Sequence, residues 1–124
     1  MKAYIKIGMF FGTILMLFSC EKRYNKEDII ILLNSNDKTE IMKGCSLLKD
    51  KKDTVFVKYL FKNIEDGRIS HNAEFYGITV HQATIGALKR ISGINPPNKS
   101  TYKFDSLNTA FYKKWAVKKR FTKS

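Results

Sequence analysis

Three side chains of this chain could ligate a metal: His71, Glu74 and His81. His71 and Glu74 stand three residues apart, the separation of two ligands on one helical turn, and His81 follows seven residues after Glu74. Imidazole and carboxylate are zinc ligands, but this spacing follows no established zinc pattern and no His-Glu-x-x-His occurs. Structural or surface histidines are the expectation, because a metal site needs a full set of converging ligands. Cys45 falls on one helical stripe with Ile41 and Leu48. With no histidine beside it and no cluster of activating charge, it reads as a small buried hydrophobe rather than a nucleophile. The chain has no Gly-rich phosphate loop, nucleophile elbow or complete catalytic triad. The expectation is a protein that is not an enzyme, without metal or cofactor.

Chemistry of another kind is written near the N-terminus. Lys2 and Lys6 form a positive start without an acid, Ile7 to Phe18 is apolar apart from Gly8, Gly12 and Thr13, and Leu17-Phe18-Ser19-Cys20 closes the segment. This is the layout of an export signal. The apolar run is shorter than the roughly 20 residues a spanning helix needs. The closing tetrapeptide resembles the lipobox of bacterial lipoproteins, with an apolar residue three before the cysteine and a small one directly before it. Phe18 is bulkier than the usual occupant. The resemblance implies cleavage before Cys20 and acylation of its sulfur, so that residues 1–19 are a lipoprotein signal peptide and residues 20–25 a tether. Two or three acyl chains anchor stably where one does not, at about 0.8 kcal/mol per buried methylene. The implied localisation is the bacterial cell envelope, anchored to a membrane.

The charge must then be read in that setting. The chain carries 23 basic and 11 acidic residues. Without the two lysines of residues 1–19 the excess of base over acid is 10. Nucleic acid is not the expected partner of an exported protein. An envelope protein or an anionic envelope polymer is, together with the membrane reached through the lipid. Six bases lie within the last twelve residues: Lys113, Lys114, Lys118, Lys119, Arg120 and Lys123. Such a run is either a binding patch or the solvated face of a terminal helix. If Cys20 is acylated, Cys45 is the one thiol left, and the fold stands without a disulfide.

The elements that must position these groups read as helices. Asn25 with Asp28 three residues on, and Glu27 in the first turn, predicts a short helix ending near Asn34. Asn34-Ser35-Asn36-Asp37 is turn chemistry. A second helix is predicted over Lys38–Lys49, with Ile41, Gly44, Cys45 and Leu48 on one face. Gly44 costs such a helix about 1 kcal/mol relative to Ala, which close approach of a neighbouring helix explains. Asp53 is placed to cap a helix over Thr54–Ile64, where Val57, Leu60, Phe61 and Ile64 share a face. Residues 66–77 form a long connection. Val80, Ala83, Thr84, Ala87, Leu88 and Ile91 then give the cleanest helix, capped by Thr79 and stopped by Gly93, with Ile85 off the stripe indicating burial on more than one side. After Asn95-Pro96-Pro97 breaks the chain, an extended cover through Tyr102 and Phe104 leads to a last helix capped by Asp105 or Ser106. Its predicted apolar face is Leu107, Ala110, Phe111 and Trp115, continued by Val117 and Phe121.

Residues 39–49 and 79–89 align at an offset of 40, with Thr39/Thr79, Leu48/Leu88 and Lys49/Lys89 identical. Helix pairs at a period near 40 mark an α-solenoid. The chain resembles HEAT-repeat proteins in Val80, Ala83, Ala87 and Leu88, followed by Ile91-Ser92-Gly93, and in the Phe111-Tyr112-Lys113-Lys114-Trp115 helix. It departs from them at Met42, where a basic residue is usual, and in the long 66–77 insertion. The resemblance implies an all-α fold, a short α-solenoid of about two HEAT-like helix pairs plus a C-terminal helix over residues 26–124.

Together these readings predict a lipid-anchored, non-catalytic interaction module with a basic and aromatic surface. The expected contact residues are Arg68, His71, Phe75 and Tyr76 in the long connection, and Lys113, Lys114, Lys118 and Arg120 on the last helix. The loop aromatics could equally cover the core. An immunity or inhibitor lipoprotein directed at a toxin is a specialised version. A metal-dependent enzyme built on His71, Glu74 and His81, and a basic face resting on anionic lipid, are the other classes.

Overall fold

The computed structural model describes residues 23–123. The expected signal peptide, Cys20 and the start of the tether lie outside the described residues, as does Ser124. Among the described residues there are five helices, α1 (Lys26–Leu33), α2 (Lys38–Ser46), α3 (Val57–Asn63), α4 (Val80–Ser92) and α5 (Ser106–Lys118). A 3₁₀ segment, Lys51–Phe56, leads into α3, and one isolated antiparallel bridge joins Ile69 to Thr79. The all-α expectation holds, with no sheet among the described residues.

Helix α1 starts at its expected cap. The Asn25 side chain accepts the Asp28 N–H at 2.8 Å while the Asp28 carboxylate accepts the Asn25 N–H at 3.2 Å, so two N-terminal donors are satisfied reciprocally. Asp37 caps α2 by accepting from the Thr39 N–H at 2.8 Å. Gly44 has the predicted purpose: a Cβ there would lie 2.9 Å from Leu33 Cδ2 and 3.1 Å from Leu32 Cβ, so α1 and α2 touch at this point.

Helix α2 stops at Ser46, three residues before the expected Lys49. The chain beyond it is held by side chains instead. Arg90 donates to the carbonyls of Cys45 and Leu48, at 2.9 and 2.8 Å, and the Asp53 carboxylate takes the N–H groups of Lys49 and Asp50. Those groups, which a longer helix would bond internally, thus have partners without it. The cap of the next segment is Asp50, with Asp53 as its reciprocal third residue. The single helix expected over Thr54–Ile64 is 3₁₀ as far as Phe56 and α-helical from Val57. Val57, Leu60 and Ile64 are buried as predicted, and Phe61 packs at the core edge.

Helix α4 is the centre of the domain and packs against α2, α3, the 3₁₀ segment and α5. Thr79 and Gln82 form its capping box, and Gly93, at φ 71°, ends it in the left-handed conformation that glycine adopts without a Cβ penalty. Val80, His81, Thr84, Ile85, Ala87, Leu88 and Ile91 are all buried, so the helix is enclosed on more than one side. Asn63 donates to the Leu33 carbonyl at 2.7 Å and ties α3 to α1.

Helix α5 corrects the sequence reading. Asp105 is its cap, but its buried face is Asn108, Thr109, Tyr112 and Ala116, while Leu107 is 63 % exposed and Ala110 and Val117 also face outward. The cause is polar. Asn108 accepts the Asn98 N–H at 2.9 Å and donates to the Asn98 carbonyl at 3.0 Å, and the Tyr112 hydroxyl donates to the Ile94 carbonyl at 2.8 Å. The loop between α4 and α5 thereby has its backbone satisfied by the inner face of α5, which buried backbone requires. Phe111 and Trp115 are left half-buried at the flank.

Candidate docking groove and basic helix

The two halves of the expected contact set lie on different elements, the loop before α4 and the helix α5. Within the loop, the bridge at Ile69 and Thr79, with Ser70 donating to Ile78 at 2.9 Å and Gly77 to Ser70 at 2.9 Å, makes a hairpin-like arm. Tyr76 stands at its tip, 72 % exposed, with His71 edge-on at 6.3 Å between ring centroids. Ile69 and Ile78 are also exposed. Phe75 turns inward against the core.

Arg68 has a bonding role within the fold. Its guanidinium grips Asp66, with Nη2 2.8 Å from Oδ2, and Nη1 donates to the Asn36 carbonyl at 2.8 Å. It fastens the loop to the turn between α1 and α2. Its hydrogen bonds hold the Asp66 carboxyl below the usual carboxylate range.

Phe75 and Ile78 form one wall of a groove of about 600 Å³ between α2 and α4. Met42, Cys45, Ala83 and Gly86 contribute apolar surface, and Ser46, Lys49, Gln82 and Arg90 supply the polar groups. An apolar cleft with a few polar groups is the ordinary form of a binding site. Cys45 borders it but is 1 % exposed, and burial pushes its thiol up to about 12. It is the buried hydrophobe expected.

His81 is a joint of the core rather than a free ligand. Since a carbonyl only accepts, its Nδ1 carries a proton and donates to the Ile64 carbonyl at 2.6 Å. Its Nε2 accepts the Asp105 N–H at 3.1 Å, and Phe104 covers the ring at 5.0 Å. Both nitrogens are engaged, holding α3, α4 and the start of α5 together. No group of three or more His, Cys, Asp or Glu placed to hold a metal exists among the described residues.

On α5, Lys113, Lys114 and Lys118 are exposed, and Arg120 follows the helix at φ 63°. The Arg120 N–H donates to Val117 and the Phe121 N–H to Ala116, at 3.0 and 2.9 Å, a complete Schellman turn with arginine where glycine is usual. That turn folds Phe121 back onto Trp115, with ring centroids 5.4 Å apart.

Several groove residues were not read from the sequence as site residues: Met42, Ser46, Lys49, Gln82, Ala83, Gly86 and Arg90. They come from α2 and the turn after it and from α4, about forty residues further on, and no local spacing marks them as one surface. Gly86 carried the one local signal, a glycine inside a well-formed helix. In comparisons with protein-family models, curated proteins and solved structures, nothing matches this chain.

Proposed function

We propose that this protein is a lipid-anchored, non-catalytic interaction module of the bacterial cell envelope, held through Cys20 and binding a protein partner with the groove and its arm. The observation that carries the binding role is the juxtaposition of an apolar groove with an aromatic arm tip, Tyr76, that has almost no packing of its own. Exposed aromatics beside an apolar cleft are typical anchors of protein interfaces. The lipobox-like Leu17-Phe18-Ser19-Cys20 supports the anchor. Contacts of α1 with α3 and of α2 with α4 support reading the fold as two stacked HEAT-like pairs closed by α5.

The test is cross-linking in the native envelope, with intact-mass analysis of the purified chain. Wild type is expected to be acylated at Cys20 and to yield one stoichiometric cross-linked protein. Tyr76→Ala and Gly86→Trp are expected to lose that product while keeping the helical signal of wild type. Cys20→Ala is expected to lose the membrane attachment that resists 1 M salt. A product that survives both surface substitutions removes the groove from the proposal. A chain of unacylated mass removes the anchor.

A further inference from the structure

Leu107, Ala110 and Val117, part of the face the sequence of α5 would have led one to bury, are turned to solvent. Around the helix, Leu107, Ala110, Lys114, Val117 and Lys118 fall on one arc, opposite the buried Asn108, Thr109, Tyr112 and Ala116. The outer arc therefore alternates apolar groups with lysines, and Lys113 lies at its edge. Lysine stems can lie along such a surface while their ammonium groups reach outward. No acid occurs on α5 or after it.

Charge is distributed unevenly along the chain. Residues 75–124 hold ten basic side chains and one acid, Asp105, whereas residues 23–74 hold ten basic and nine acidic. The single acid of the second half faces the backbone N–H of Asn108 at 2.9 Å as the cap of α5. Nearly all the positive excess of the folded domain thus belongs to α4, the loop that follows it, α5 and the residues after α5. Beyond the helix, Arg120 and Lys123 border a shallow hollow with Lys58, Val117 and Phe121.

We propose that the outer face of α5 is a docking surface for an anionic phospholipid bilayer, seated by Leu107, Ala110 and Val117 among Lys113, Lys114, Lys118 and Arg120. A helix with an apolar stripe and basic residues lies in the headgroup plane of such a membrane. Trp115 and Phe121, half-buried at the flank, suit the same boundary, where aromatic rings with one wet edge collect. An acidic protein offers complementary charge too. It needs discrete pockets for anchors, and this arc has short apolar groups and flexible lysines, which match a fluid surface of many equivalent phosphates. The inference goes beyond the partner groove and does not require Cys20 to be acylated.

The single tryptophan of the chain makes the test direct. In a Trp115→Phe background, Leu107→Trp places the reporter on the arc itself. The full-length protein is mixed with vesicles of phosphatidylcholine alone, or of phosphatidylcholine with phosphatidylglycerol. The expected result is a blue shift of Trp emission, with quenching by brominated lipid, in the anionic vesicles only. The shift should vanish near 1 M salt, where the screening length is about 3 Å. Lys114→Glu with Lys118→Glu should weaken partition by at least about tenfold, since each base near such a surface contributes about fivefold. Circular dichroism checks that α5 persists in every variant. No shift in anionic vesicles overturns the proposal, as does a shift equal in both lipids, or one obtained only on adding envelope protein. Intact mass separates this from the anchor: an acylated chain without the shift loses the docking face alone, and an unacylated chain with it loses the anchor alone.

Discussion

Two glycines inside helices, Gly44 in α2 and Gly86 in α4, offer a controlled comparison of backbone propensity against packing. In isolation each Gly→Ala change favours the helix by about 1 kcal/mol. At Gly44 the new Cβ would stand 2.9 Å from Leu33 Cδ2, and 3.1 Å from both Leu33 Cγ and Leu32 Cβ. Leu33 is fully buried, and Leu32 Cβ moves only if α1 moves. Overpacking of that kind costs about 1–3 kcal/mol, so Gly44→Ala should be net destabilising by about 1 kcal/mol. At Gly86 the nearest atom is Arg90 Nη1, at 3.3 Å. The Arg90 bonds to Cys45 and Leu48 use Nη2 and Nε, so its Nη1 end can yield. Gly86→Ala should keep most of its about 1 kcal/mol gain.

The two variants should therefore differ by about 2 kcal/mol, roughly 10 °C in melting temperature for a domain of this size. Urea unfolding followed by far-ultraviolet circular dichroism measures it, with the slopes of the two curves required to agree. If Gly44→Ala is as stable as Gly86→Ala, α1 and α2 do not meet at Gly44 and the packing described is wrong.

Further outcomes follow from the same geometry. Cys45, with its thiol pushed up to about 12 by burial, should resist iodoacetamide at pH 8 in the folded protein and react promptly in urea; rapid labelling of the native chain would contradict its place in the core. His81→Ala should cost about 2–4 kcal/mol, because it strands the Ile64 carbonyl and the Asp105 N–H and opens a cavity, and chelator treatment of wild type should leave its melting temperature unchanged. Arg120→Gly should raise stability by about 0.5–1 kcal/mol by relieving the left-handed backbone, read as a higher urea midpoint. The folded Asp66 and Asp105 carboxyls titrate below their unfolded values. Their stabilisation is thus present above about pH 4 and lost as pH falls through the folded values. Asp66→Asn should flatten that acid decline slightly, by about 0.5 kcal/mol given the exposure of Arg68, and an unchanged acid profile would show that the Arg68 pair does not hold in solution.

Much of the fold was legible because its boundaries are set by local chemistry. Asn25 with Asp28, Thr79, Gly93 and Asp105 each act within four residues of themselves, and the reach of a cap is written in the adjacent sequence. Gly44 and Ile85 were legible for a related reason, since each breaks a regular pattern in a way that packing alone explains. The orientation of α5 was not. A hydrophobic template ranks Leu107 and Phe111 above Asn108 and Thr109, but Asn108 and Tyr112 are drawn inward by Asn98 and Ile94, which lie 10 and 18 residues earlier. The end of α2 was obscured likewise by Arg90, which donates to the Leu48 carbonyl from 42 residues further along the chain. The groove is of the same kind, because helices from separate parts of the chain create it together.

The aspartates connect this folding logic to the surface chemistry. Asp28, Asp37, Asp50, Asp53, Asp66 and Asp105 are all the aspartates of the chain, and every one accepts a backbone N–H at a helix start or turn. Among the described residues a single salt bridge occurs, between Asp66 and Arg68. The aspartates are thus committed to helix starts and turns, where an acceptor for free N–H groups is required, while the bases of α5 carry no such duty. A chain built this way acquires positive excess wherever its elements need few caps. Residues 106–118 run as one helix with its only acid at the cap, so the excess collects along that helix. The basic face of α5 follows from the same assignment of residue types that closes the helices, and its lysines can change without cost to the fold. Replacing Lys113, Lys114 and Lys118 by Gln should accordingly leave the urea midpoint within about 0.5 kcal/mol of wild type, as is usual for surface sites, while abolishing the salt-sensitive shift in anionic vesicles. A large loss of stability in that variant would mean that the lysines hold α5 in place, and the separation of folding from binding would fail.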